Sequence, residues 1–218
     1  MFNRSLIASL FLAVSVFASS GAAQAAGSVT AVPCAAKAKA VIANTGQSIH
    51  NSGSTVTGDV QAAGAILKNG TAVITGTQTP NTPAHLAVVP VPTGAKNLGN
   101  FLVSGNVTLP AGNYVASSFS MNGGSTLTVT GGVAQIWVTG SVVLAGTANA
   151  GGDPTNLEIL TTGTGSVNVN GGAQFTGFIY APLGTVVLDG SVTGSVTGAT
   201  TTLNSGSKVT FVASAKCP

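Results

Sequence analysis

The sequence predicts an all-β fold, a parallel β-helix (β-solenoid) with one short N-terminal helix. Three observations predict it. Short runs of Val, Ile, Leu and Thr, among them 125–130, 136–139 and 166–170, are each closed by a glycine-containing turn. Gly-Gly pairs stand at 131–132, 151–152 and 171–172, an even spacing held twice. A period of about 20 residues built from strand-length pieces is the pattern of stacked coils, each burying its apolar face only against its neighbours. Third, 56–73 aligns without a gap on 192–209 at a constant offset, with eight identities in 18 positions. Val56, Thr57, Gly58, Val60, Ala63, Leu67, Gly70 and Val73 recur as Val192, Thr193, Gly194, Val196, Ala199, Leu203, Gly206 and Val209. One coil geometry is expected near both ends of the chain.

Residues 1–25 read as a secretory signal: Arg4 supplies the positive start, 6–18 the apolar stretch and Ala23-Gln24-Ala25 the cleavage site. That stretch is too short to span a bilayer, and no later segment is long and apolar enough. An exported protein is expected, placed outside the cell, at its surface or in the periplasm. Residues 26–53 read as an N-terminal cap. The Ala/Lys-rich, Gly- and Pro-free stretch 34–43 predicts a helix, covering the open strand edges of a solenoid end. The solenoid itself is assigned to 54–218. Pro80, Pro83, Pro90 and Pro92 break its pattern, so 77–100 reads as a crossover.

Strand alternation sets the inside and the outside. Leu127 and Val129 point inward, and Thr126, Thr128 and Thr130 outward; Val167 and Val169 match the first set, and Ser166, Asn168 and Asn170 the second. At ~4.8 Å per coil, seven or eight coils make a rod roughly 35–40 Å long.

Charge is scarce, and its distribution excludes several functions. Arg4 is the only arginine; beyond the signal, six lysines face four acids, a net of +2. No Lys/Arg cluster exists to displace counterions from a nucleic acid. The alternation of apolar residues with Thr, Ser and Asn is strand chemistry, not the charged composition of disorder. Asp59, Asp153, Glu158 and Asp189 are scattered, away from any carboxylate pairing for sugar cleavage, and Asp59, Asp153 and Asp189 read as turn or corner residues. His50 and His85 fall in loop-like segments, and neither stands in a motif that would activate a serine. Neither catalysis, a metal nor a cofactor is expected.

Cys34 and Cys217 lie near the two ends of the exported chain, where an isolated pair usually bonds. A bond needs Cα atoms within ~7 Å, so three arrangements stay open. The N-terminal block folds back beside the last coil, Cys34 of one molecule bonds Cys217 of the next, or both thiols are free. The likeness of 56–73 to 192–209 favours the first. The candidate binding surface comprises the outward residues Thr126, Thr128, Thr130, Ser166, Asn168 and Asn170. Trp137 joins them: with Ile136 and Val138 inside, it is either exposed or covered by the crossover. The run 146–150 interrupts the ranks.

From Phe101 onward the chain resembles an uncharacterised family of exported β-solenoid domains of bacterial surface and pilus-associated proteins. The resemblance rests on 101–109, 125–132, Ile136-Trp137-Val138-Thr139-Gly140, 156–159 and 175–182. More remotely it is similar to the ice-binding solenoids, through Leu109-Pro110-Ala111-Gly112-Asn113-Tyr114 and Phe175-Thr176-Gly177-Phe178-Ile179. That likeness implies N- and C-terminal blocks meeting in one discontinuous solenoid. It also implies a long helix along the rod, in whose place this chain has 77–100. The function expected first is a structural or adhesive surface protein, with self-assembly end to end or a surface polymer as partner. Ice binding through the outward Thr, Ser and Asn ladders is the second expectation, and carbohydrate binding the third. No stable membrane insertion is expected.

Overall fold

A computed structural model of the chain describes residues 32–213. They form an all-β, parallel β-solenoid with one four-residue helix, Cys34–Lys37, and one 3-10 turn, Pro154–Asn156. Three sheets make three faces. The first runs through 106–110, 126–130, 147–148, 174–176, 191–194, 208–211, 55–57 and 73–74. The second runs through 96–97, 112–116, 134–138, 157–161, 178–180, 195–198, 41–43, 60–62 and 78–79. The third runs through 100–103, 118–121, 142–144, 167–169, 185–188, 200–203, 48–50 and 66–68.

Inward residues stack in columns, one per coil. The first face contributes Val107, Leu127, Ala148, Phe175, Val192, Val209, Val56 and Ile74. Tyr114, Ile136, Ile159, Ile179, Val196, Val41 and Val60 line the second, and Val103, Met121, Leu144, Val169, Leu188 and Leu203 the third. They meet in a single apolar core. Full burial of a Val, Leu, Ile, Phe or Met side chain in these columns contributes roughly 1.5–3 kcal/mol.

The coils are not stacked in sequence order. Strand Lys208–Phe211 lies between 191–194 and 55–57, while 41–43 lies between 195–198 and 60–62. One coil is therefore composite: its first face comes from the C-terminal strand, its other two from residues 41–50. From that coil the chain winds to one end at 78–79, crosses over 80–95 to the opposite end at Lys96, and winds back. The fold-back arrangement is the one observed, with Val56 and Val192 both beside Val209.

Several expectations need correction. The constant offset between the two repeats holds only through the second face. On the third, Leu203 faces His50, which faces Lys68, so Leu67 points outward and its identity with Leu203 is fortuitous. A slip of one residue reverses the face. The Gly-Gly pairs at 131–132 and 151–152 share the corner between first and second faces, but 171–172 lies between third and first. Successive members of the first inward column stand at 107, 127, 148, 175, 192 and 209, so the coils are unequal and the even glycine spacing is only an average. The helix stops at Lys37 because Val41–Ala43 is sandwiched between strands on both sides, and pairing overrides alanine's helix propensity. It docks on the flank of the second face, where Lys37 lies over the Phe178 ring, not at a solenoid end. The signal segment 1–25 and Cys217 lie outside the described residues, and with Cys217 the pairing of Cys34.

His50 is no loop residue: it points inward in the composite coil and is fully buried. Its Nε2 lies 2.9 Å from Ser48 Oγ, which lies 2.7 Å from Thr201 Oγ1, while Nδ1 has no partner. Burial, and then the nearby Lys68 charge, push its pKa down to about 4. Below the ordinary value of about 6.5 the unfolded chain takes up a proton that the folded chain refuses, so acid removes stability. Between pH 7.5 and pH 5, above the carboxylate range, that loss is about 2 kcal/mol. Urea midpoints should show the drop in the wild type and a flatter profile in His50→Gln.

Gly194 makes the closest approach between coils. With φ at +136°, a Cβ there would overlap the Gly177 carbonyl oxygen. Backbone cannot yield as a flexible side chain does, so Gly194→Ala should cost about 3 kcal/mol or more. Gly171 has nothing within 4 Å, and Gly171→Ala should be near neutral in the same denaturation series.

Candidate functional site

The three outer faces differ in what they offer. The second is covered. Trp137, Leu160, Phe178, Tyr180 and Ile42 point outward from it, yet form a buried satellite cluster with Val32, Ala36 and Leu86. The crossover closes over them through its backbone. Trp137 Nε1 donates to Val89 O at 3.2 Å, Tyr180 OH donates to Ala87 O, and Asn44 exchanges two bonds with Leu86. Burial pushes the Tyr180 hydroxyl up to about 12. Trp137 is 2% exposed and offers no ring to a ligand in this arrangement.

The helix covers the rest. Glu158 sits in strand Leu157–Thr161 and is fully buried. Its carboxylate pairs with Lys37 Nζ and accepts from Gln135 Nε2 at 2.9 Å and from the Val32 amide at 3.2 Å. A carboxylate so occupied fastens the N-terminal segment to the rod. The other acids do stand at turns: Asp153 caps the 3-10 turn, and Asp59 accepts from the Thr77 amide. Among the described residues no cluster of His, Cys, Asp and Glu could hold a metal.

The first face carries Thr126, Thr128 and Thr130. Its outward ranks are rich in threonine: Thr108 beside Thr128, and Thr176, Thr193, Thr210 and Thr57 on successive coils. It is not flat. Asn149 adopts φ +52°, turns in and bonds the Asp153 and Thr176 carbonyls, so that 149–156 stands proud of the sheet. An open recess of ≈ 340 Å³ lies beside it, lined by Ala150, Gly151, Gln174, Thr176, Ser191 and Lys208 among others. Alternation gave the outward threonines; the protrusion is visible in the sequence only as the interruption at 146–150.

Ser166, Asn168 and Asn170 lie on the third face, so the candidate residues are spread over three faces and do not form one surface. The third face is uninterrupted. Its outward column runs Leu102, Ser120, Val143, Asn168, Val187, Thr202, Ile49 and Leu67 in unbroken register. Beside it stand Asn100 and Ser118, which bond at 3.2 Å, and Thr185 and Thr200, which bond at 3.1 Å. Along the other margin a ladder of amides runs from Asn69 to Asn51 to Asn204 to Asp189, with contacts of 2.9, 3.0 and 2.8 Å. Each side chain is held by its neighbour one coil away. Coil spacing and strand rise give a plane of about 34 Å by about 13 Å, with Asp189 at its margin. Asn51, Asn69, Asn204 and the apolar members of this plane were missed in the sequence because the coil order that aligns them is not sequential.

No curated protein sequence matches the chain. Solved structures of the same fold do. The ice-binding protein of the Antarctic ascomycete Antarctomyces psychrotrophicus is similar over 83% of this chain and 97% of its own, at 18% identity and a TM-score of 0.62. An ice-binding protein of an Antarctic Flavobacteriaceae bacterium is similar over 81% of this chain and 46% of its own, at 22% identity and a TM-score of 0.58. The ice-binding protein_1 DUF3494 domain of Shewanella frigidimarina covers 81% of this chain and 95% of its own, at 16% identity and a TM-score of 0.55. These likenesses establish a shared β-solenoid fold. A family model described as a domain of unknown function (DUF7305) matches residues 102–216. That match spans more than half of the chain, which belongs to this uncharacterised family.

Proposed function

We propose that this is an exported protein that binds ice through its third face. The observation that carries the reading is the plane itself: uncharged except at its margin, eight coils long, with hydroxyls, amides and methyls in register. Ice presents a flat, repeating array of water molecules. A surface that repeats every ~4.8 Å along the rod can hold water in a matching array, and its bonded side chains lose little freedom in doing so. The apolar members Leu102, Val143, Val187, Ile49 and Leu67 keep bulk water from competing between the polar ones. The second face is unsuited because it is covered, and the first because 149–156 breaks its plane and Lys208 adds a charge.

The solved structures that share the fold are named as ice-binding proteins, which supports this reading over the adhesive one. Carbohydrate stacking on Trp137 has no comparable support. Thermal hysteresis and inhibition of ice recrystallisation test the proposal. The mature wild type should be active. Asn168→Tyr, at the centre of the third face, should abolish activity, while Thr193→Tyr on the first face should keep most of it. The reverse pattern would move the site to the first face, and an inactive, folded wild type would end the ice reading.

A further inference from the structure

We infer that the two ends of the rod are latent docking surfaces for a second copy of this chain, held shut by polar residues placed in the inward columns. Each end exposes strand edges. Among the described residues, 66–68, 73–74 and 78–79 pair on one side only, as does strand Lys96–Val103 at the opposite end. Free parallel edges over an apolar core are templates for another chain. The core does reach the ends, where Ile66, Leu98 and Phe101 are only partly buried against it.

Inside the rod the inward columns turn polar at the Ser48, His50 and Thr201 group, and two of the columns also end in polar residues. Along the second face the inward column runs from Tyr114 to Val60 and ends in Lys96 at one end and Gln78 at the other. Along the third, the column that begins at Val103 ends in Lys68. Lys68, Gln78 and Lys96 are exposed, and neither lysine forms an ion pair among the described residues.

The second face carries one strand more than the others, so a head-to-tail copy meets the rod there first. Lys96 would land on Gln78, and the column would read Val60, Gln78, Lys96, Tyr114. An ammonium enclosed between apolar neighbours without a counter-charge is costly. Neither meeting coil supplies one: residues 60–79 and 96–121 contain no acid, and Asp59, beside Thr77, already accepts from the Thr77 amide and lies 3.8 Å from Lys39 Nζ. Further obstacles act alongside the lysines. Strands Val73–Ile74 and Gln78–Thr79 have two residues each, Pro80 follows at once, and register shifts at Asn97, Gly99 and Asn100 distort the opposite edge. The rod thus acts as a single unit, and its closed ends, not a lack of sticky edges, keep it so.

Sedimentation velocity of the mature chain tests this. The wild type should remain monomeric across the accessible concentration range. The triple variant Lys68→Val, Gln78→Val, Lys96→Val should associate with rising concentration, with at least a doubling of weight-average mass, into linear multimers visible by electron microscopy. A wild type that joins end to end, or a triple variant that folds normally by circular dichroism yet stays monomeric, overturns the inference. Should the triple variant fail to fold, Lys96→Val and the pair Lys68→Val, Gln78→Val open one end each. Each should be monomeric alone and form a dimer when mixed; no dimer on mixing overturns the inference equally.

Discussion

Strand Lys208–Phe211 enters the ladder between 191–194 and 55–57, and the rest of the rod depends on that parallel pairing. It makes one coil out of two distant pieces of chain. The first and last strands therefore both lie in the interior of the stack, where each has a neighbour above and below. The apolar column from Val192 through Val209 to Val56 runs across the joint without a step. Neither block could close this coil alone: residues 41–50 lack a first face, and 208–211 lacks the other two. Docking the blocks is thus part of folding. The buried Ser48, His50 and Thr201 group sits in that same coil, which makes the joint the place where acid acts on the fold.

Starting in mid-stack has a geometric consequence. After winding to one end, the chain must travel the whole rod before it can wind back. The second face has nine strands, hence a distance of about 38 Å from 78–79 to Lys96. Only 80–95 is available to cover it. As a helix that stretch would reach only about 24 Å, and as an extended chain about 50 Å. The prolines at 80, 83, 90 and 92 suit the extended solution and exclude the other. An extended strap leaves its carbonyls free, and those of Leu86, Ala87 and Val89 are taken up by Asn44, Tyr180 and Trp137. The outward aromatic residues of the second face belong to this closure, with polar tips that meet the strap and apolar bodies that fill the space beneath it.

Much of this was legible in the sequence, because solenoid strands obey a period of two that composition cannot hide. The inward placing of Leu127, Val167 and Val169 follows from local alternation, and the fold-back of the N-terminal block is favoured by the likeness of two distant stretches, 56–73 and 192–209. What failed did so for one reason: partners in a stack are distant in sequence. Nothing local says that Val41–Ala43 is clamped between strands and so cannot extend the helix. Nothing local shows that Glu158 meets Lys37, or that His50 points into the core. The same blindness grouped Thr128 with Asn168, two outward residues of similar pattern that stand on different faces.

The arrangement of irregularities bears on where a flat ligand can sit. A three-faced coil has one corner opposite each face, and the corner between first and second faces is the one opposite the third. The longest insertion, 149–156, leaves the rod there, as does the register shift between Thr130 and Ala134. The strap occupies the adjoining second face. The corner between second and third faces varies as well, with register shifts between Asn97 and Asn100 and between Ala181 and Thr185, yet the third-face strands stay in step. The amide ladder from Asn69 to Asp189 ties that face together along one margin, and paired hydroxyls stand along the other. A plane kept level while the rest of each coil varies is what contact with a rigid lattice requires, since a lattice cannot bend to meet a protrusion. The same demand does not apply to a flexible polymer, which could follow the stepped first face as readily as the level third.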